Sequence, residues 1–137
     1  MVLARLSEVL FAEALRQYME RNPNEQTGWL GALTDRYLGR TLDLLHEDPA
    51  QSWTVDELAR RVGLSRSALS ERFTAKIGMP PMQYLTRWRI SLAASKLRRS
   101  DASILEVAGE VGYESEAAFN RAFKRTLGVP PARWRRQ

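Results

Sequence analysis

Two stretches of this 137-residue chain repeat one another, and the repeat limits the fold more than any other feature. At an offset of 49, Glu57 pairs with Glu106, Ala59 with Ala108, Val62 with Val111 and Gly63 with Gly112. At an offset of 50, Ser65 pairs with Ser115, Ala68 with Ala118, Phe73 with Phe123, Gly78 with Gly128, Pro80 with Pro130 and Pro81 with Pro131. The copies span Thr54–Tyr84 and Ser103–Trp134. The extra residue of the second copy falls between Gly112 and Ser115, as expected of an insertion in a turn.

Each copy reads as helix, turn, helix. Thr54-x-x-Glu57 and Ser103-x-x-Glu106 are capping boxes, in which the hydroxyl accepts from the third helical amide and the Glu reaches back to the cap amide. Trp53 and Leu58 add a hydrophobic staple to the first. Val55, Leu58, Ala59 and Val62 mark a buried stripe, as do Ile104, Val107, Ala108 and Val111. The short helices stop at Gly63 and Gly112, suited to a left-handed turn. Ser65 and Ser115 cap the second helices, which bury Ala68, Leu69, Phe73 and Ile77, or Ala118, Phe119, Phe123 and Leu127. Gly78 and Gly128 end these, each followed by a Pro pair. A short helix, a Gly turn and a longer helix form the helix-turn-helix outline. An ordinary helical hairpin shares that outline, but two copies in one chain favour nucleic-acid recognition.

Between the copies, Leu85, Trp88, Leu92, Ala93 and Leu97 recur at helical spacing, and Pro81 suits a first helical position. One helix over Pro81–Arg99 is predicted, roughly 27 Å long. It is both a core helix and a strut able to hold two recognition helices about 34 Å apart, one turn of B-DNA.

Charge follows the same division. Residues 1–52 carry 5 Lys and Arg against 8 Asp and Glu, whereas residues 53–137 carry 16 against 8. A basic module of this kind suits a polyanion. The chain has no Cys and a single His, His46, which removes disulfides, thiolate zinc sites, cysteine nucleophiles and multi-histidine metal centres. His46 beside Glu47 and Asp48 reads as a structural residue at a helix end. No Ser has a His partner in the pattern, so nucleophilic catalysis lacks support. No cofactor and no enzymatic activity are expected. No apolar run is long enough to span a bilayer, and Met1 is followed by mixed residues rather than a leader, so a cytoplasmic protein without a membrane partner is expected.

Ile104 through Tyr113, followed by Ser115, Phe119, Arg121, Phe123, Lys124, Gly128, Pro130 and Pro131, resembles the signature of the DNA-binding domain of AraC/XylS-family bacterial transcription regulators. The resemblance covers Leu33–Arg136. It implies an all-α fold of seven helices: Leu33–His46, Val55–Val62, Arg66–Ile77, Pro81–Arg99, Ile104–Val111, Glu116–Leu127 and Pro131–Arg135. Two helix-turn-helix subdomains would then be joined by the long helix. Residues 1–32 form a separate segment, an amphipathic helix through Leu3, Leu6, Leu10, Ala14 and Tyr18 ended by Asn22-Pro23-Asn24, then a linker over Gln26–Gly31. The segment resembles the stretch that follows a cupin-type sensor in some family members, where such helices support dimerisation. Residues 1–22 are therefore a candidate homodimer contact, although packing on the domain itself remains open. The chain is too short to hold such a sensor, so no small-molecule ligand is expected in it. Related DNA-repair methyltransferases transfer alkyl groups to cysteine, which this chain lacks.

The exposed positions of the first recognition helix are Arg66, Ser67, Ser70, Glu71 and Thr74, and the family pattern turns Ser67, Ser70 and Glu71 toward base edges. Two serines are permissive readers, and Glu71 either accepts from a cytosine amino group or orients an Arg. Modest direct readout is expected there, with more reading of shape or through water. The second recognition helix offers Glu116, Ala117, Asn120 and Arg121. The Arg121 fork matches guanine O6 and N7, Asn120 suits adenine, and Ala117 reaches only a thymine methyl. For Arg121, an ion pair with Glu116 or a plain phosphate contact is the alternative.

Arg66, Thr74, Arg87, Arg89, Lys124 and Arg125 are candidate phosphate ligands, and Ser65 and Ser115 direct helix N-termini at the backbone. In Arg133-Trp134-Arg135-Arg136 a buried Trp134 caps the second unit, with the arginines solvated or near DNA. The reading is a sequence-specific regulator, most simply an activator, that binds double-stranded DNA in successive major grooves. RNA polymerase would be met through an unidentified surface. A protein-interaction module and a non-specific nucleic-acid binder are the alternatives.

Overall fold

Short polar side chains decide where five of the helices begin. The computed structural model describes residues 35–137 as seven helices without strands. These are α1 (Arg36–Glu47), α2 (Val55–Val62), α3 (Arg66–Ile77), α4 (Pro81–Arg99), α5 (Ile104–Glu110), α6 (Glu116–Leu127) and α7 (Pro131–Arg136). The Thr54, Ser65, Ser103 and Ser115 hydroxyls accept from the amides of Glu57, Ala68, Glu106 and Ala118 at 3.0–3.1 Å. Each satisfies an amide left without an intrahelical partner in the first turn. Pro81 and Pro131 open α4 and α7, where a missing N–H costs nothing.

Three helices differ in their bounds by a residue or more from the sequence expectation. α1 starts at Arg36 because the Asp35 carboxylate accepts from the Tyr37 and Leu38 amides at 2.9 and 3.2 Å, and it runs through Glu47. α5 stops at Glu110, with Val111 as its cap, and α7 reaches Arg136. The capping boxes are also only half built. The Glu57 carboxylate binds Arg60 and Arg61 instead of the Thr54 amide. Charged partners one turn on outcompete a backbone N–H. No return bond joins Glu106 to Ser103 either among the described residues. The expected N-terminal helix and linker, and the expected start of α1 at Leu33, lie outside the described residues.

Two cores lie along α4. Leu38, Leu42, Leu45, Leu58, Leu69 and Phe73 pack with Tyr84 and Leu85 from the first turns of α4, and Trp53 joins Leu58 there as the staple requires. Val107, Val111, Phe119 and Phe123 pack with Ile90, Ala93, Ala94 and Leu97 from its remaining turns. At an offset of 52, the buried residues Leu38, Thr41, Leu42 and Leu45 of α1 fall on Ile90, Ala93, Ala94 and Leu97 of α4. At an offset of 50, Tyr84 of α4 falls on Trp134 of α7. The repeat is therefore longer than the helix-turn-helix. Each unit has an opening helix, a short helix, a recognition helix and a closing helix, and α4 closes the first unit while it opens the second.

The same correspondence recurs at the helix ends. His46 at the end of α1 bonds the Tyr84 hydroxyl through Nε2 at 2.6 Å and stacks on Trp88 at 4.5 Å. Its counterpart Arg98 lies 3.6 Å over the Trp134 ring.

Candidate nucleic-acid interface

The Gly turns aim α3 and α6 outward. Gly63 (φ 84°) and Gly112 (φ 103°) hold left-handed backbone that other residues adopt only with strain. In each turn, the residue after the Gly returns its amide to the same carbonyl: Leu64 to Ala59 and Tyr113 to Ala108. Glu114 is thus the inserted residue, sitting after the closed turn and before the Ser115 cap. Leu69 and Phe73 fix α3 from beneath, as Phe119 and Phe123 fix α6. Opposite them, Arg66, Ser67, Glu71 and Thr74 are exposed on α3, and Glu116, Ala117, Arg121, Lys124 and Arg125 on α6. Ser70 and its counterpart Asn120 are half-buried at the edge of each face. The caps Ser65 and Ser115 at the start of these helices are exposed as well.

The two faces differ in charge. On α3, Arg66 and Glu71 cancel, and Arg66 lies 3.7 Å from Asp56 in an exposed pair of little energetic weight. On α6, Arg121, Lys124 and Arg125 exceed Glu116. None of those three cations is hydrogen-bonded or ion-paired among the described residues, which leaves their donors available to an anion. Arg87 and Arg125 converge on a groove between α4 and α6, together with Gln83 and Thr126. Sequence reasoning missed Gln83, although it stands one turn before Arg87 on the same exposed side of α4.

Three of these residues have surroundings the sequence did not suggest. Arg89, expected to face phosphate, is half-buried, and its Nε and Nη2 donate to the carbonyls of Pro49 and Gln51 at 2.7 and 2.8 Å. Asn120 is half-buried at the edge of its face: its Oδ1 is buried without a hydrogen-bond partner, and the residue lines a groove with Glu116, Arg121 and Lys124. Arg135 is half-buried and bound to backbone carbonyls. Its guanidinium donates to the carbonyls of Leu97 and Ala102, while Trp134 Nε1 donates to Ala94, and together they tie α7 to α4. No group of three or more His, Asp or Glu suited to a metal ion occurs among the described residues, and no described helix is long and apolar enough to cross a membrane.

Two outward recognition helices on one shared strut define a bipartite helix-turn-helix domain. A family model described as a helix-turn-helix domain matches residues 58–137. The chain is 45% identical over 136 residues to an AraC-like transcription regulator of Streptomyces lividans, covering 99% of this chain and 45% of that protein. It is 32% identical over 137 residues to the transcriptional regulator MtrA of Neisseria gonorrhoeae, covering 99% and 46%. Among solved structures, the DNA-binding domain of the global transcriptional factor AdpA, in complex with a target DNA, is similar with a TM-score of 0.71 at 33% identity, covering 74% of this chain and 91% of that one. This chain belongs to the AraC-type helix-turn-helix family. It spans just under half the length of the curated relatives it matches.

Proposed function

We propose that this chain is the DNA-reading part of a sequence-specific transcription regulator, with α3 and α6 entering successive major grooves of one duplex. The observation that carries the reading is the pairing of two outward faces, at the same repeat positions, on the two ends of one rigid helix. α4 is 19 residues and about 28 Å long, close to one turn of B-DNA once the offsets of α3 and α6 are added. The relative bound to a target DNA supports the choice of duplex DNA over a protein partner.

Within that reading, Arg121 is the principal base reader, with Ala117 and Glu116 beside it on α6. Ser67, Ser70 and Glu71 give α3 weaker discrimination. Asn120, half-buried at the edge of α6, is the candidate adenine reader. Arg66, Thr74, Arg87, Lys124 and Arg125, with the N-termini behind Ser65 and Ser115, hold phosphates and set register. Residues 33–137 form the DNA-binding unit and residues 1–32 an accessory segment, with 1–22 a homodimer contact. The regulator acts as an activator that meets RNA polymerase, works in the cytoplasm and performs no catalysis.

Selection of bound sequences from random duplex DNA tests this. One motif is expected, with its two parts about one helical turn apart and the more constrained part under α6. Arg121→Ala then relaxes choice at one or two base pairs in that part, worth roughly 1–3 kcal/mol of discrimination. Recovery of no motif, with equal affinity for all duplexes, would leave only non-specific binding.

A further inference from the structure

Apart from sharing α4, the two units meet around a half-buried cation, Arg89. The loop of residues 48–54 joins α1 to α2 in the first unit. Its Pro49 and Gln51 carbonyls both accept from Arg89, in the middle of α4. The turn that launches α6 lies against the same spot. A Cβ added to Gly112 would stand 2.9 Å from the Ala50 Cα and 3.0 Å from the Arg89 Cζ. Tyr113 spreads its ring 5.8 Å from the Arg89 guanidinium.

Comparison within the repeat shows what this crowding is not for. Gly63, the counterpart of Gly112, has the same left-handed backbone but open space where its Cβ would be, as do Gly78 and Gly128. A helix-turn-helix turn therefore needs the conformation but not the contact. The contact belongs to the junction between units. Partial burial lowers the Arg89 pKa, and among the described residues no carboxylate is ion-paired with it. A half-buried guanidinium that donates to two carbonyls is geometrically demanding, because its planar fork fixes two acceptors at once.

We propose that Arg89, seated between the 48–54 loop of the first unit and the Gly112-Tyr113 turn of the second, is a positioning residue that sets the angle between α3 and α6 and so the half-site spacing the domain accepts. The claim about spacing rests on the DNA reading above, whereas the claim about the angle does not.

The test has two arms. Since the chain lacks cysteine, Ser67→Cys and Ala117→Cys place one spin label on each recognition helix. The distance distribution is then measured without DNA in the full chain, in Arg89→Met, in Gly112→Ala and in the milder Tyr113→Phe. A narrow distribution is expected in the parent and a broadened one in Arg89→Met and Gly112→Ala. Equal widths in Arg89→Met and the parent overturn the proposal.

In the second arm, affinity is measured for the selected duplex, for versions with one half scrambled, and for versions with one base pair added or removed between halves. Arg89→Met is expected to lose about tenfold on the intact duplex, to stay within about twofold on single halves, and to lose most of its penalty for altered spacing. Unchanged single-half binding shows that both units remain folded. Equal losses on intact and half duplexes, or an unchanged spacing penalty, overturn the proposal. If no selected duplex exists but the distance arm succeeds, the clasp stands and the DNA reading falls.

Discussion

At the scale of single residues, His46 shows how burial converts a side chain from charged tool to structural wedge. Its ring sits between Tyr84 and Trp88, and desolvation lowers its pKa from an ordinary 6.5, with Asp43 opposing weakly. The neutral ring can accept the Tyr84 hydroxyl proton, since burial pushes the Tyr84 pKa upward and keeps that proton in place. A His whose folded pKa is depressed binds fewer protons folded than unfolded. Stability is therefore fully present above the unfolded pKa and is lost as pH falls through it. Thermal unfolding between about pH 7.5 and 5.5 is expected to move to lower temperature, and His46→Phe to flatten that slope. An identical slope in both proteins would remove His46 as its source. From sequence, the helix-end placement of His46 was readable, but its ring partners were not, because Tyr84 stands 38 positions away.

The same limit explains Arg89 and Arg135. Their spacing on α4 and α7 says only that they are basic. Their acceptors are carbonyls 33 to 40 residues distant, in loops and at a helix end that no periodicity predicts. Arg121, Lys124 and Arg125 are different. Their exposed positions followed from the stripe of Phe119 and Phe123 that opposes them.

At the scale of elements, local chemistry was legible almost to the residue. Four of the seven helices have the expected bounds, and all four hydroxyl caps accept the expected amides. Caps are read well because they depend on contacts three residues apart. The errors fell where a longer-range or stronger partner intervened, as the arginines did at Glu57. Ser115→Ala tests the value of one such contact. It removes the bond to the Ala118 amide and is expected to cost about 1 kcal/mol, or about 4–8 °C in Tm for a domain of this size. Ser115→Asp is expected to restore most of it, because a carboxylate also caps and suits the positive helix end, while weakening DNA binding through repulsion of phosphate. Parallel recovery of stability and affinity would separate Ser115 from the backbone contact.

At the scale of the whole molecule, the excess charge of residues 53–137 divides into outward and inward parts. Arg89 and Arg135 are spent on carbonyls, and Arg60 and Arg61 on Glu57. Arg66, Arg87, Lys124 and Arg125 remain as the cationic phosphate ligands of the proposed complex. Four such contacts predict a slope of about −3.6 for log affinity against log salt. Lys124→Ala is expected to reduce that slope by about 1 and to weaken all sequences alike. A slope much steeper than this would mean that further cations reach the duplex, Arg72 and Lys76 being the nearest on α3.

The double use of α4 has a consequence for how the molecule can be divided. Residues 36–99 contain every helix of the first unit, and residues 81–137 every helix of the second. The two intervals overlap by the full length of α4, so no single cut yields two intact halves. A break anywhere along Pro81–Arg99 strips one wall from each neighbour. The parts that read the two stretches of DNA are thus bound into one cooperative object by ownership of a common wall, and neither has an outline of its own.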